Sequence, residues 1–315
     1  MQFKKPKFWD LKKPNLFSYL LLPLTIFVRI NNIFLNSKKK QKQKLKTICV
    51  GNIYLGGTGK TPLTIKLYKI LTKLRVKAVV GKKFYTSQLD ELQILKNQTK
   101  LITDKNRFKI IQKAKNNNND VIIFDDGLQD KNISYNLQIV CFDSQNYVGN
   151  NFLLPAGPLR EKLESLKKYD CVFLKDGNVN QKKIICSLKK INKKIKIFFT
   201  YLKIDNLKKF KTSDKYLIFS GVGNPNNFKQ NLLKNKLNVV KEIIFPDHFN
   251  YKNKDIKKIK EQAKQLNAKI ITTEKDYVKI AKIDKRNIDF LKVELIIKNE
   301  KNFISFLKSK INEKY

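Results

Sequence analysis

Three groups of residues in this chain have the types and spacing for phosphate chemistry. The first is Gly51-Asn-Ile-Tyr-Leu-Gly-Gly-Thr-Gly-Lys-Thr-Pro62, which follows the apolar run Thr47–Val50 and precedes the helix-like stretch Leu63–Leu71. In a strand–loop–helix of this kind, backbone N–H groups and the positive end of the helix face an anion. Gly56, Gly57 and Gly59, with Thr58 among them, leave the backbone free to curl around phosphate. Lys60 would reach the β- and γ-phosphates, and the Thr61 hydroxyl would hold Mg²⁺. The match to G-x-x-x-x-G-K-[ST] is incomplete, because Tyr54 stands where the first glycine belongs. The second group is Val121-Ile-Ile-Phe-Asp-Asp-Gly127, an apolar strand ending in two carboxylates. Mg²⁺ takes oxygen ligands, so either Asp125 or Asp126 suits it at the C-terminal edge of a sheet; Asp-Gly also starts ordinary turns. The third is His248, in Pro246-Asp-His248, the chain's single histidine. An imidazole with its unperturbed pKa near 6.5 can accept a proton at neutral pH. A lone histidine can equally be an ordinary surface or core residue.

These groups need a sheet to hold them. Apolar runs predict strands over 46–50, 77–80, 100–103, 121–124, 137–142 and 171–174. Helical periodicity predicts helices over 62–74, 88–96, 107–116 and 159–168. Such alternation argues an α/β fold with a mostly parallel sheet covered on both faces, a P-loop NTPase-like three-layer α/β/α core. A second, smaller α/β series follows, with strands over 216–219, 239–244 and 269–272 and helices over 225–233 and 255–266. The expected division is an N-terminal helix (1–36), a P-loop core (37–203) and a smaller C-terminal domain (204–315). The last strand (290–297) and helix (303–311) are free to pack on either domain.

The chain has 315 residues and a formal net charge of +41, yet only five of its 67 basic residues are arginine. Readers of nucleic acid lean on arginine for bidentate contacts, so a lysine excess spread along the chain argues against a nucleic-acid partner. Lys, Asn and Ile are all plentiful and all have AT-rich codons, which accounts for much of the excess. Lysine near an anionic membrane surface contributes about 1 kcal/mol each, which makes such a surface a natural partner. Cys49, Cys141, Cys171 and Cys186 show no C-x-x-C spacing, and the first three lie in apolar runs, as in a reducing compartment.

Lysines at 4, 5, 7, 12 and 13 precede an apolar segment, Leu16–Val28, with no small-residue cleavage site after it. The uncharged stretch 14–28 would reach roughly 22 Å as a helix, short of the ~30 Å hydrocarbon layer. It therefore reads as an uncleaved, membrane-associating helix, or as a helix packed on the domain.

Six segments in order make the chain resemble the tetraacyldisaccharide 4′-kinases, which phosphorylate the lipid A precursor at the inner membrane. They are Val50-Gly-Asn…Gly-Gly-Thr-Gly-Lys-Thr-Pro62, Asp125-Asp-Gly-Leu-Gln129, Leu153-Leu-Pro-Ala-Gly-Pro-Leu-Arg-Glu161, Gly221-Val-Gly-Asn-Pro225, Phe245-Pro-Asp-His248 and Thr273-Glu-Lys-Asp276. The resemblance implies ATP and Mg²⁺ as cofactors, with Lys60 and Thr61 on the phosphates and metal and Asp125–Asp126 as the second acidic motif. It also implies that Arg160 and Glu161 border the nucleotide, and that Asp90 and His248 together activate the acceptor hydroxyl. Either of the two could be the base and the other its orienter. Ser87-x-x-Asp90 also reads as a capping box. Two departures stand out: Gly81-Lys-Lys-Phe-Tyr85 replaces a Ser-Arg-Gly-Tyr-like loop, and Asp130 replaces a histidine. Lys82 or Lys83 could restore positive charge in that loop.

The expected activity is transfer of the γ-phosphate of ATP to the 4′-hydroxyl of a tetraacylated glucosamine disaccharide 1-phosphate. It would take place at the cytoplasmic face of the bacterial inner membrane, with no obligate protein partner. The rival reading is a membrane-associated regulatory P-loop ATPase; such proteins carry a lysine where this chain has Leu55, which counts against it.

Overall fold

The computed structural model describes residues 5–37, 41, 43–177 and 181–312. The strands are β1 (Lys46–Gly51), β2 (Ala78–Lys83), β3 (Leu101–Asp104), β4 (Val121–Asp125), β5 (Leu137–Asp143), β6 (Cys171–Lys175), β7 (Lys196–Ile204), β8 (Lys215–Ser220), β9 (Asn238–Ile244), β10 (Lys269–Thr273), β11 (Ile288–Leu291) and β12 (Val293–Ile297). The α-helices are α1 (Leu16–Leu20), α2 (Thr25–Ser37), α3 (Lys60–Lys73), α4 (Leu89–Gln98), α5 (Arg107–Asn116), α6 (Gln181–Ile191), α7 (Pro225–Lys234), α8 (Asn253–Gln265), α9 (Glu274–Tyr277) and α10 (Glu300–Asn312).

Two sheets organise these elements. The larger has the order β12-β7-β6-β5-β1-β4-β2-β3 and is parallel from β3 through β7. Parallel strands are buried on both faces, so their sequences are almost continuously apolar; all five residues of β4 are buried. α3 presents Leu63, Leu67, Ile70 and Leu71 to the sheet, an i, i+4, i+7, i+8 stripe. Ile110, Ile111 and Ala114 of α5 and Ile184 and Leu188 of α6 join another part of the core. The chain runs from β1 out to β2 and β3, returns to β4, then crosses to β5 on the other side of β1. That reversal opens a crevice at the C-terminal end of β1, where ligands of open α/β sheets bind. The smaller sheet, β11-β10-β8-β9, is also parallel.

The chain forms two compact units. The larger holds Lys5–Phe84, Thr99–Tyr201 and the residues from Leu295; the smaller holds Tyr85–Gln98 and Leu202–Glu294. Two segments therefore group away from their chain neighbours: α4 belongs with the smaller unit and α10 with the larger. The run 290–297, expected as one strand, is two, one in each sheet. Between them the Lys292 carbonyl accepts from the Asp205 N–H at 2.9 Å instead of continuing either ladder.

Three further expectations are corrected. The stretch 159–168 is not an α-helix. Leu159 bridges to Tyr54 and Leu153, and only Leu163–Lys168 winds, as a 3-10 helix. The helix α6 and the strand β7 were not foreseen. The N-terminal apolar segment is not one helix: Pro23 has no N–H to give, so α1 stops and a 3-10 turn over Leu22–Leu24 leads into α2.

That N-terminal segment is tied to the larger unit by polar contacts. The Trp9 indole N–H donates to the Pro155 carbonyl at 2.9 Å, the Asn150 amide to the Ser18 hydroxyl at 2.9 Å, and the Asn32 amide to the Arg160 carbonyl at 2.9 Å. Meanwhile Leu16, Phe17, Leu20, Phe27, Ile33 and Phe34 each leave more than half of their surface open. No helix among the described residues is long and apolar enough to cross a membrane.

The place of α10 can be tested directly. Phe303 is fully buried, 4.9 Å between ring centroids from Phe173 of β6 and 5.0 Å from Phe198 of β7. Phe303→Ala should lower unfolding free energy by about 3–5 kcal/mol in urea titrations, the usual cost of a phenylalanine-sized cavity. A loss below about 1 kcal/mol would contradict this packing.

Candidate active site

The loop after β1 has the form of a phosphate cradle. Gly59 caps α3 with a left-handed φ of 86°, a conformation that costs side-chain-bearing residues energy. A Cβ on Gly57 or Gly59 would meet nothing within 4 Å, so the loop's inner face is open to a close-approaching ligand. The buried Asn52 shapes the turn from within: its amide donates to the Gly56 carbonyl at 3.2 Å and the Thr58 hydroxyl at 3.1 Å. Tyr54, in the place of the missing glycine, is buried, with its ring close against Gly56. Its hydroxyl is hydrogen-bonded to Asp10 and Lys5 of the N-terminal segment.

Beside the cradle, the end of β4 supplies the two carboxylates. β4 pairs with β1 in register, Val50 opposite Asp125, so the strand ladder itself sets Asp125 at the base of the loop. Asp125 is buried and accepts from the Thr61 hydroxyl at 3.3 Å, the Thr64 hydroxyl at 3.3 Å and the Lys82 ammonium at 2.6 Å. Asp126 follows with a left-handed φ of 59°. Lys60 lies 3.8 Å from its carboxylate, and the Arg160 guanidinium donates to both its oxygens at 3.3 Å. Burial pushes the Asp126 carboxyl up, but Lys60, Arg160 and Lys82 outweigh it and hold it below the usual carboxylate range.

These residues fit a hard divalent cation bound together with phosphates. Such an ion takes one or two carboxylates and a hydroxyl from the protein and keeps phosphate and water oxygens for the rest. Thr61 with Asp125 or Asp126 offers that set. No larger cluster of metal-ligating side chains occurs among the described residues.

The 153–161 segment is stitched to the cradle by the Arg160 N–H to the Ile53 carbonyl at 2.7 Å and the Leu55 N–H to the Pro158 carbonyl at 2.8 Å. This aims the Arg160 side chain at Asp126. Glu161 points the other way. It is buried and satisfied by Tyr169 at 2.9 and 3.0 Å, Gln129 at 3.2 Å and Lys131 at 3.4 Å. It therefore reaches the loop only through Gln129, which donates to the Asn52 carbonyl at 2.9 Å and accepts from Arg160 at 3.2 Å.

The smaller unit brings together the other two expected residues. Asp90, in the first turn of α4, is buried. Both its oxygens face the imidazole Nδ1 of His248, at 3.1 and 3.0 Å. Burial pushes the Asp90 carboxyl up; the hydrogen bond from His248 and the charge of Lys275 more than offset this and hold it below the usual range. His248 sits in the loop after β9 with a left-handed φ of 58°, a strained setting of the kind concentrated at functional sites. An imidazole placed against a carboxylate in this way has the geometry to take up a proton, with the carboxylate at hand to orient it.

The carboxylate partners of two further residues escape sequence reasoning. Lys82, expected only as one of two lysines that could restore charge to the divergent 81–85 stretch, lies on β2 and pairs with Asp125. Arg107 donates to the Asp126 carbonyl at 2.5 Å and to Asp130 at 2.9 Å, so the carboxylate that replaces a histidine is the partner of an arginine buttressing Asp126. Neither has a local signature: a lysine in a lysine-rich chain, and an arginine at the start of an amphipathic helix, look like solvated charges.

Asp126 yields a pH prediction. A carboxyl with a folded-state pKa below its unfolded value near 3.9 adds stability that is fully present above that value and lost as pH falls through the lower one. Asp126→Asn should therefore destabilise the protein at pH 7. The wild-type advantage should hold between pH 7 and 5 and shrink only below about pH 4. A gap closing already between pH 7 and 5 in urea titrations would contradict the ionised, cation-held state.

Comparison with known proteins identifies the family. The family model described as Tetraacyldisaccharide-1-P 4′-kinase matches residues 16–92 and 87–312. The chain is 45% identical over 318 residues to the tetraacyldisaccharide 4′-kinase of Pelagibacter ubique (strain HTCC1062), with all of both chains covered. It is 38% identical to that of Rickettsia canadensis (strain McKiel), with 93% of each covered. Among solved structures, the LpxK of Aquifex aeolicus, crystallised in complex with ATP, superposes with a TM-score of 0.68 at 20% identity. The alignment covers 94% of this chain and 97% of that one, so the fold is shared. Family model and full-length relatives together establish that the chain belongs to the tetraacyldisaccharide 4′-kinase family.

Proposed function

We propose that this kinase binds ATP at the cradle and transfers its γ-phosphoryl group to the 4′-hydroxyl of an acylated glucosamine disaccharide 1-phosphate. The observation that carries the reading is the pairing of the half-buried His248 with the buried Asp90. A phosphate cradle alone suits any NTPase, including a regulatory ATPase; a pre-oriented imidazole adds an acceptor for the proton of an attacking hydroxyl.

The roles follow from phosphoryl transfer, which needs charge neutralisation and in-line positioning more than covalent help. The backbone of Gly56–Gly59 cradles the phosphates, Lys60 neutralises their developing charge, and Arg160, held on Asp126 in the structure, is the second cation. Thr61 with Asp125 or Asp126 would hold Mg²⁺, which when bound neutralises phosphate charge. Glu161 supports the nucleotide side through Gln129 and the Asn52 carbonyl. His248 removes the hydroxyl proton, and Asp90 orients the imidazole and stabilises its charged form.

The exposed apolar faces of α1 and α2 fit the acceptor. A lipid with several acyl chains stays in its bilayer, since each buried CH₂ is worth about 0.8 kcal/mol. The enzyme must go to it, at the cytoplasmic face of the inner membrane where ATP is available. Lysines along the chain favour an anionic surface there.

Purified protein, γ-labelled ATP, Mg²⁺ and detergent-dispersed disaccharide lipid should yield labelled lipid. His248→Ala should lower turnover by about 10²–10⁴, the usual worth of a general base, while nucleotide binding by calorimetry is retained. Equal loss of both would refute the assigned role. The combined change of Phe17, Phe27 and Ile33 to Ser should cut co-sedimentation with anionic vesicles at least several-fold while ATP affinity stays intact; unchanged sedimentation would refute the membrane role of α1 and α2.

A further inference from the structure

Three of the segments quoted above have no role yet: Gly221-Val-Gly-Asn-Pro225, the Pro246-Asp247 that leads into His248, and Thr273-Glu-Lys-Asp276. The structure shows them as one hydrogen-bonded unit built on Asp276. That carboxylate is fully buried. It accepts from the Gly221 N–H at 2.9 Å, the Tyr251 hydroxyl at 3.0 Å and the Thr273 hydroxyl at 2.7 Å, and it pairs with Lys279 at 2.7 Å. Gly221 must lack a side chain here, because a Cβ would stand 2.8 Å from the Pro246 carbonyl oxygen. The loop carrying His248 is thus clasped by the end of β8 on one side and by Tyr251 on the other, both through the residue that follows Lys275.

Lys275 is the product of this arrangement. Its ammonium stands 3.3 Å from the imidazole Nε2 of His248, 3.1 Å from Asp247 and 3.8 Å from both Asp90 and Glu91. We infer that Lys275 is a positioning residue that sets the tautomer of His248, with the lone pair on Nε2 and the proton on Nδ1. An ammonium has only protons to give, so the nitrogen it faces must offer a lone pair. The imidazole proton then lies on Nδ1, donated to Asp90. Asp90, Glu91 and Asp247 all favour an imidazolium, which could accept nothing; the Lys275 ammonium at Nε2 opposes them. Lys279, 4.0 Å from Asp90, adds a further positive charge beside that carboxylate. Burial disfavours the Lys275 ammonium, but Asp247, Glu91 and Asp90 outweigh it and hold it above its usual range, so the cation persists. On arrival, the acceptor hydroxyl takes the ammonium's place as donor to Nε2.

The inference rests on His248 being the proton acceptor, and its primary test, by NMR, needs neither nucleotide nor lipid. Because His248 is the only histidine, protein labelled with ¹⁵N-histidine gives a single imidazole in NMR. In wild type the neutral form should show a protonated Nδ1 and a pyridine-like Nε2. In Lys275→Met the imidazole should take up its proton at higher pH than in wild type, with Lys275→Arg restored towards the wild-type titration. The acid limb of the pH–rate profile should move in the same order. A neutral wild-type imidazole protonated on Nε2, or a Lys275→Met titration unmoved or shifted to lower pH, would overturn the inference. If Lys275→Met does not fold, the wild-type tautomer still decides. Retained transfer by His248→Ala would instead remove the functional reading and leave the tautomer result standing.

Discussion

A carboxylate taken out of water stays ionised only against a cation or a set of donors, and both sites of this molecule are built on that constraint. Asp125 is buried against Lys82 and two threonine hydroxyls. Asp126 is held between Lys60 and Arg160, Asp90 between His248 and Lys275, and Asp276 against Lys279. Removing one partner of such a pair leaves an uncompensated buried charge, at a cost of about 3–5 kcal/mol. Stability and function are therefore carried by the same contacts. The groups to which we assign phosphate and proton transfer also fix the loops in which they sit.

The sheet explains why this is feasible in the larger unit. Parallel strands deliver their C-terminal ends to one edge, and the reversal of direction beside β1 leaves that edge open. The β1–β4 ladder carries the cradle and Asp125 on adjacent strands, and the register sets their spacing without any help from the loops. The 153–161 segment is extended because its backbone is committed to the cradle, through Arg160 to Ile53 and Leu55 to Pro158. A helix there would have withdrawn those groups and turned Arg160 away from Asp126. Tyr54, hydrogen-bonded to Asp10 and Lys5, ties the same loop to the N-terminal segment.

What the sequence makes legible is what depends on local pattern. The central strands are apolar runs that only a doubly covered sheet explains. The glycine loop needs its conformational freedom written into the residues, and Asp125 falls at the end of a strand that could be read directly. What depends on distant partners is not legible. Lys82 and Arg107 matter because of the carboxyl groups they meet. The break between β11 and β12 at Lys292 leaves no mark in an unbroken apolar run. Strand β7 has an alternating, half-exposed character, and α6, with Ile184, Leu188 and Ile191 on one face, is hidden by the lysines around it. Grouping of α4 with the smaller unit follows from Asp90 and from Gln98, which donates to Glu274 at 3.0 Å; neither contact is visible in chain order.

The central claim is that Asp90 and His248 work as one proton-accepting unit. A double-mutant cycle on lipid transfer measures this most directly, using Asp90→Asn, His248→Ala and the combined variant under saturating ATP. Residues acting as a unit are strongly non-additive, so the double variant should be about as slow as His248→Ala alone. Losses that simply multiply would show two independent contributions and contradict the account.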